Sequence, residues 1–400
     1  MGDSGRFAGD ELRRLDEAGL RRRVRTLSAS GPRPVLDGRP VVSFASNDYL
    51  GLAADPRLAD ALARGAAEEG AGAGAARLLG GSRPAHDALE RVVATFKESE
   101  AALLFGSGFV ANATVIPALA GEGDLVVSDR LNHASVVDGC RLSRAEVAVV
   151  PHADPAAVRA ALGRSGFRRR VVVVEGLHSM EGTVAPLRAL QDAAREHDAL
   201  LVLDDAHGNG VVGPGGRGAA ADAGLERGPG LVEIGTFGKA FGGFGAFVAW
   251  TAEGVEWLRH AARGYLFSTA LPPGVAAMDL EGMRLAAAEP ERRERARALA
   301  DRLRGRLGGA AGGAAGSPIV PVPVGGAADA ARLAERLLER GIWAPAVRPP
   351  TVPDGTARLR VSVTAAHREE EIDALAAAVL GDFEARRWRA ETPGREARGG

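Results

Sequence analysis

The run Gly235-Thr236-Phe237-Gly238-Lys239-Ala240-Phe241-Gly242-Gly243 sets one lysine among small residues just after an apolar stretch. Glycines there let a backbone approach a ligand closely while the amine points at it. Lys97 and Lys239 are the only lysines among 50 basic residues, the rest being arginines. A reaction that needs a deprotonatable primary amine therefore has two side-chain candidates, and Lys239 has the surroundings of a Schiff-base lysine. A surface lysine on a glycine turn is the plain alternative. A phosphate-binding P-loop is excluded twice, because Glu233 stands where its first glycine is required and Ala240 where Ser or Thr would bind Mg²⁺.

Thirty-five residues earlier, Leu200-Leu-Val-Leu-Asp204-Asp205-Ala206-His207-Gly208 ends an apolar run on a carboxylate. At the carboxyl edge of a parallel sheet, Asp204 can keep a pyridine nitrogen protonated and make the ring an electron sink. His207 lies within reach of the same ligand's phenolic oxygen. A capping aspartate with a satisfied histidine, or metal ligation by Asp205 and His207, are the bland readings, and no metal-ligand spacing such as H-E-x-x-H accompanies them. Upstream, Gly106-Ser-Gly108-Phe109-Val-Ala111-Asn112 follows a strand and opens a helix, whose free amides suit a phosphate. With Asp129 ending the next strand it also fits a dinucleotide fingerprint. His133 can stack on an aromatic ligand or be an ordinary core histidine. Ser179 sits in a loop after a core strand, and Arg360 on the last strand can pair with a carboxylate. Gly70–Gly81 reads as a mobile loop. No G-x-S-x-G elbow supports a serine hydrolase.

These groups need a scaffold. Seven continuous apolar runs (Ala101–Phe105, Leu125–Ser128, Val147–Val150, Val171–Glu175, Leu200–Asp204, Leu231–Ile234 and Gly245–Trp250) have the pattern of strands buried on both faces, and helical stretches such as Ala185–His197 separate most of them. The pattern predicts an α/β fold with a mainly parallel seven-stranded sheet. A basic amphipathic helix over 10–27 belongs to an N-terminal segment, 1–40. A large domain spans 41–274, a smaller α+β domain 275–385 (strands Ile319–Val324 and Ala357–Val363, helices Ala330–Arg340 and from about Glu369), and a frayed, disordered tail 386–400. With 400 residues, 46% hydrophobic and 25% charged, the chain has the composition of a soluble globular protein. A net charge of −1 advertises neither nucleic acid nor anionic membrane. The lone Cys140 excludes an internal disulfide and a multi-cysteine metal site, and no metal is expected. The N-terminus lacks a signal-peptide apolar region and no run is long enough to span a bilayer, so a cytoplasmic location is expected.

Taken together, the pieces resemble the α-oxoamine synthases among the fold-type-I pyridoxal-phosphate enzymes. The likeness rests on Ser46-Asn47-Asp48-Tyr49-Leu50-Gly51-Leu52, Asp204-Asp-Ala-His-Gly208, Thr236-Phe-Gly-Lys239-Ala-Phe-Gly242 and Phe267-Ser268-Thr269-Ala-Leu-Pro-Pro273. It implies pyridoxal 5'-phosphate as cofactor, with Lys239 as its covalent anchor and later the base at the amino acid's Cα. It also implies Asp204 on the pyridine nitrogen, His207 and Ser179 on the phenolic side, His133 on the ring face, and Gly108, Phe109 and Thr236 at the phosphate. Ser268 and Thr269 resemble residues that reach the phosphate from a partner subunit, which implies a homodimer. Arg360, assisted by Asn47, would bind the amino-acid carboxylate, and Arg21 and Thr351 the acyl substrate. The run Arg348–Arg360 looks most like members that join L-alanine to pimeloyl-CoA, or its acyl-carrier-protein equivalent, in biotin synthesis. Members with other amino acids and acyl donors share the rest. His178 stands where an aromatic is usual, Glu181 where Asp is usual, and Asn209 where Thr is usual. Ala75–His86 lacks the Ser-Gly-rich wording of the family. A transcription regulator on a related core would need a winged-helix domain ahead of it, and only about 40 residues with one helix precede Val41.

Overall fold

The computed structural model describes residues 6–391. Seven strands form the central sheet: β1 (Ala101–Phe105), β2 (Leu125–Asp129), β3 (Glu146–Val150), β4 (Arg170–Glu175), β5 (Leu200–Asp204), β6 (Leu231–Thr236) and β7 (Ala246–Trp250). Their spatial order is β1-β7-β6-β5-β4-β2-β3. All run parallel except β7, which is antiparallel to both β1 and β6. The α/β fold and every strand of the sheet are thus as the apolar runs predict. Side chains alternate between the faces of a strand. In β4, Val171 and Val173 pack under the helix Gly108–Leu119 and Leu258, while Val172 and Val174 pack against Leu187 and Leu190. Helices on both faces explain why the runs are continuous rather than alternating.

A smaller unit holds a three-stranded antiparallel sheet with Ala357–Ser362 between Ile319–Gly325 and Ala346–Val347. Its core combines Leu303, Val320, Leu333, Leu359, Val361 and Ile372, and Phe44 joins it from the N-terminal side. Val42–Ser43 pairs in parallel with Ile342–Trp343, which ties the two ends of the chain together. The helix Pro273–Ala288 instead buries Ala276, Met283 and Leu285 in the core that holds Tyr49 and Phe241. That helix, although it lies almost wholly beyond residue 274, thus packs on the larger core.

Three expectations are corrected. The N-terminal helix spans Phe7–Glu17 instead of 10–27, because Gly19 takes a left-handed conformation that ends it. Gly70–Gly81 is a pinned turn rather than a mobile loop. Arg77 is buried and paired with Glu90 at 2.8 Å, and a Cβ on Gly81 would meet the Ala75 carbonyl oxygen at 2.1 Å. The last helix runs Glu369–Glu391 through the start of the tail, and residues 392–400 lie outside the described residues. Among the described residues no helix is long and apolar enough to cross a membrane.

Candidate active site

The carboxyl ends of β2, β4, β5 and β6 deliver Asp129, Glu175, Asp204 and Thr236 to one edge of the sheet, the position where open α/β sheets bind ligands. Asp204 is buried. Its Oδ1 accepts the Ala206 N–H at 3.0 Å and its Oδ2 accepts Asn112 Nδ2 at 2.6 Å. Asn112 Nδ2 also donates to Ser135 Oγ at 2.9 Å, and Ser135 Oγ lies 2.7 Å from His133 Nδ1. These bonds have one consistent direction. Asn112 spends both amide hydrogens on Asp204 and Ser135, so the Ser135 hydroxyl is free to donate to His133. The imidazole then carries its proton on Nε2. Burial, with Lys239 nearby, lowers the His133 pKa against the opposing pull of Asp204, which keeps the ring neutral.

Lys239 follows β6 on the glycine turn and is half-buried. Burial pushes its amine down to about 8, against the opposing pull of the Asp204 and Glu175 carboxylates. Glu175, at the end of β4, is pushed up to about 8 by burial and by Asp204. Its Oε2 accepts the Ser179 N–H at 3.0 Å, and its buried Oε1 has no partner. His207 Nδ1 lies 2.7 Å from the hydroxyl of the fully buried Tyr49. Burial first, then the cations Lys239 and Arg360, hold its pKa well below the usual histidine value.

Arg360 reaches this edge from the smaller unit. Its Nε donates to the Ser179 carbonyl at 2.6 Å, and its Nη1 to Asn47 Oδ1 at 3.0 Å and Ser362 Oγ at 2.8 Å. The structure thereby brings Asn47, Ser179 and Arg360 together. At the other side, Ser107 caps the helix Gly108–Leu119, accepting the Val110 N–H on Oγ at 3.2 Å. Helix geometry leaves the Gly108 and Phe109 amides without intrahelical acceptors. A Cβ on Gly108 would lie 4.0 Å from that of Thr236, so the two phosphate-side candidates are neighbours. Thr236 donates its hydroxyl to the Gly245 carbonyl at 2.7 Å and accepts the Gly238 N–H at 3.2 Å.

Ser268 and Thr269 are exposed, and Thr269 bridges to Ala76. Thr351 receives Arg22 Nη2 at 3.0 Å, whereas Arg21 is exposed and turns to Asp16, so Arg22 rather than Arg21 meets Thr351. The structure separates the two lysines. Lys97 is fully buried and held by Glu233 at 2.6 Å, Asn209 Oδ1 at 2.9 Å and the Arg217 carbonyl. Asn209 thus serves a buried cation. Asp205 and His207 turn to different partners, the Ala219 N–H and Tyr49, and do not form a ligand pair. Sequence reasoning assigned no role to Tyr49, Asn112, Ser135 or Glu175. Glu175 ends a core strand just as Asp204 does, a signal that was available. The partners of the others are distant in sequence.

Pyridoxal phosphate requires an amine for its aldehyde, a carboxylate for its ring nitrogen, a neutral donor set near its phenolic oxygen and an anion cradle for its phosphate. Lys239, Asp204, His207 and the Gly108–Phe109 helix start supply these four, so the site fits the cofactor. A family model for the class I and II aminotransferases matches residues 39–379. An 8-amino-7-oxononanoate synthase of Aromatoleum aromaticum is 49% identical over 380 residues, covering 94% of this chain and 98% of that protein. One of an Azoarcus species is 47% identical over 376 residues, covering 94% of each. A solved serine palmitoyltransferase holding pyridoxal phosphate superposes with a TM-score of 0.88 at 31% identity, covering 96% of this chain and 99% of that one. The 8-amino-7-oxononanoate synthase of Francisella tularensis superposes at 0.74 and 27% identity, covering 86% and 99%.

Proposed function

Because the chain belongs to the 8-amino-7-oxononanoate synthase family of the class I and II aminotransferases, we propose that it joins L-alanine to a pimeloyl thioester, releasing CO₂ and the thiol carrier. It is a pyridoxal-phosphate-dependent acyltransferase whose amino-ketone product feeds biotin synthesis. The observation that carries this reading is the meeting of Lys239, Asp204, His207 and His133 at one sheet edge with Arg360 fixed beside them. The cofactor would be held by Lys239, Asp204, His207, Ser179, His133, Gly108, Phe109 and Thr236. When bound, it supplies a protonated pyridine ring that withdraws the electrons left at the amino acid's α-carbon.

The protein's own part is positioning and proton transfer. Asp204, with Asn112 and the Ala206 N–H donating to it, is oriented to accept the ring N–H. His133, kept neutral by burial, would stack on the ring face without adding charge. Arg360 binds the amino-acid carboxylate, with Asn47 and Ser179 fixing the guanidinium. Lys239, with an amine near pKa 8, can take the α-proton and return one at neutral pH. The α-carbon then bonds to the acyl carbonyl carbon, the thiolate leaves, and the alanine carboxylate departs as CO₂. Arg21 and Thr351 would border the acyl chain, since Arg348 donates to the Gly19 carbonyl at 2.6 Å and packs the N-terminal segment on the 348–351 turn. Pimeloyl-CoA and the acyl-carrier-protein thioester both satisfy this chemistry. Ser268 and Thr269, exposed in a single chain, would complete the phosphate site of a second copy in a cytoplasmic homodimer.

A second reading, serine palmitoyltransferase chemistry, draws on the higher TM-scores to that enzyme. Backbone likeness is shared across acyl-transferring relatives, whereas residue identity favours alanine. Mass analysis of products from alanine, glycine and serine with pimeloyl, acetyl and palmitoyl thioesters tests both. The proposal requires the alanine–pimeloyl product to dominate, and a serine–palmitoyl product in its place would overturn it.

A further inference from the structure

Next to the active-site loop, three side chains from distant parts of the chain converge: Asp129 at the end of β2, His152 after β3 and His178 after β4. One donor atom from each lies within 4.8 Å of the other two. Asp129 and His178 are buried and His152 is half-buried. The two rings pack edge to face with centroids 4.3 Å apart. An ion pair between Asp129 and a protonated His152 accounts for two of the three groups. It leaves His178 Nε2 unexplained, for that nitrogen is fully buried and has no hydrogen-bond partner.

Thr183 shows what the arrangement suits. Its hydroxyl lies 3.2 Å from His152 Nε2, and its carbonyl 3.4 Å from His178 Nδ1. With a proton on each of those outer nitrogens, His152 Nδ1 and His178 Nε2 keep their lone pairs. Outer hydrogen bonds of this kind fix the tautomer of metal-bound histidines. Asp129 is oriented in the same way, accepting the Leu131 N–H and the Ala153 N–H at 2.8 Å each. Ligands of a tetrahedral Zn²⁺ stand about 3.3 Å apart. His152 Nδ1 already lies 3.1 Å from both Asp129 oxygens, so the remaining approach is that of His178. The expectation of no metal rested on spacing along the chain, and ligands at positions 129, 152 and 178 have no local spacing to read.

We propose that Asp129, His152 and His178 form a binding site for a divalent zinc-class ion, with a water in the fourth position. The ion ties the turn His178–Thr183 to the ends of β2 and β3. That turn carries the Ser179 carbonyl that holds Arg360, so the site braces the substrate-carboxylate arm from behind. It is independent of which amino acid or thioester the enzyme uses.

The test is made on holoenzyme freed of metal with EDTA, dialysed, and titrated with Zn²⁺ alone, and separately with Co²⁺, whose visible ligand-field bands report a four-coordinate site. Expected are one Zn²⁺ retained per chain and binding at least about 100-fold weaker in His178→Phe and in His178→Asn, with loss of the Co²⁺ bands. Thr183→Val, which removes only the outer acceptor of His152, should weaken binding about 10- to 100-fold. Retention of no ion by the parent enzyme overturns the proposal. So does equally tight binding by a folded His178 variant, which would put the ion elsewhere.

Discussion

The amine of Lys239 offers the most direct measurement of the site's electrostatics. Burial lowers it from 10.5 to about 8, with Asp204 and Glu175 pulling the other way. At pH 8 about half of such amines are neutral, against about 0.3% of an ordinary lysine, a factor of about 160. Only the neutral amine acylates. Trace labelling of the cofactor-free protein with acetic anhydride, read by peptide mass spectrometry against a free lysine standard, should give a rate at position 239 that rises about tenfold per pH unit below pH 8 and levels above it. Lys97, fully buried, should stay unlabelled until the protein is unfolded. Asp204→Asn removes the largest charge that opposes the shift and should move the midpoint lower still. A parent profile that keeps climbing through pH 10, or a midpoint raised by Asp204→Asn, would refute burial as the cause.

Other consequences concern the surrounding network. Lys97→Met leaves Asp205 and Glu233 buried with one cation fewer; since Arg227 still pairs with Glu233, the cost should be about 3 kcal/mol in urea unfolding, and an unchanged midpoint would show the buried ammonium to be dispensable. Arg360→Lys keeps the charge but cannot reproduce the bonds to Ser179, Asn47 and Ser362. The KM for the amino acid should rise about 10- to 100-fold with little change in that for the thioester, and equal rises in both would remove Arg360 from the carboxylate site. Leu79 is 80% exposed and Phe267 71%, an apolar face beside Ser268 and Thr269. Leu79→Arg should shift the enzyme from dimer to monomer in sedimentation velocity and release cofactor with it, and a dimer that persists with full cofactor would place the interface elsewhere.

The sheet was legible because its strands are continuous apolar runs, the signature of burial on both faces, which holds for all but the edge strand β3, where Val147 and Val149 are exposed. Its limits were less so. The leucines of the N-terminal helix kept a helical rhythm past Glu17, and a single left-handed glycine at position 19 overrode it. Lys239, Asp204 and His207 could be found because each lies at or just after a strand end, where position along the chain dictates position in space. Composition left two lysines and the glycines around Lys239 favoured it; the enclosure of Lys97 by Glu233 and Asn209 gives the other lysine a structural role. Asn112 and Asp204 are 92 residues apart, and Tyr49 and His207 158. Such pairings have no periodicity to reveal them, since tertiary packing brings them together: a helix on the sheet for Asn112 and Asp204, two turns for Tyr49 and His207.

That packing divides the site in a way that bears on how it works. His133, Ser135, Asn112 and Asp204 form one hydrogen-bonded chain built on strands and helix starts of the large unit, so the residues proposed for the ring face and the ring nitrogen cannot shift independently. Positions held this way keep their geometry through a reaction. Arg360 belongs to the other core and touches the large unit through the Ser179 carbonyl and Asn47. A relative movement of the two units would leave the ring-holding chain intact while changing the grip on the amino-acid carboxylate. The rigid half is thus suited to chemistry common to many amino acids. Selection among them is expected of the other half, through Arg360, whose guanidinium reaches the large unit by two hydrogen bonds, to the Ser179 carbonyl and to Asn47, while its third goes to Ser362 within its own strand.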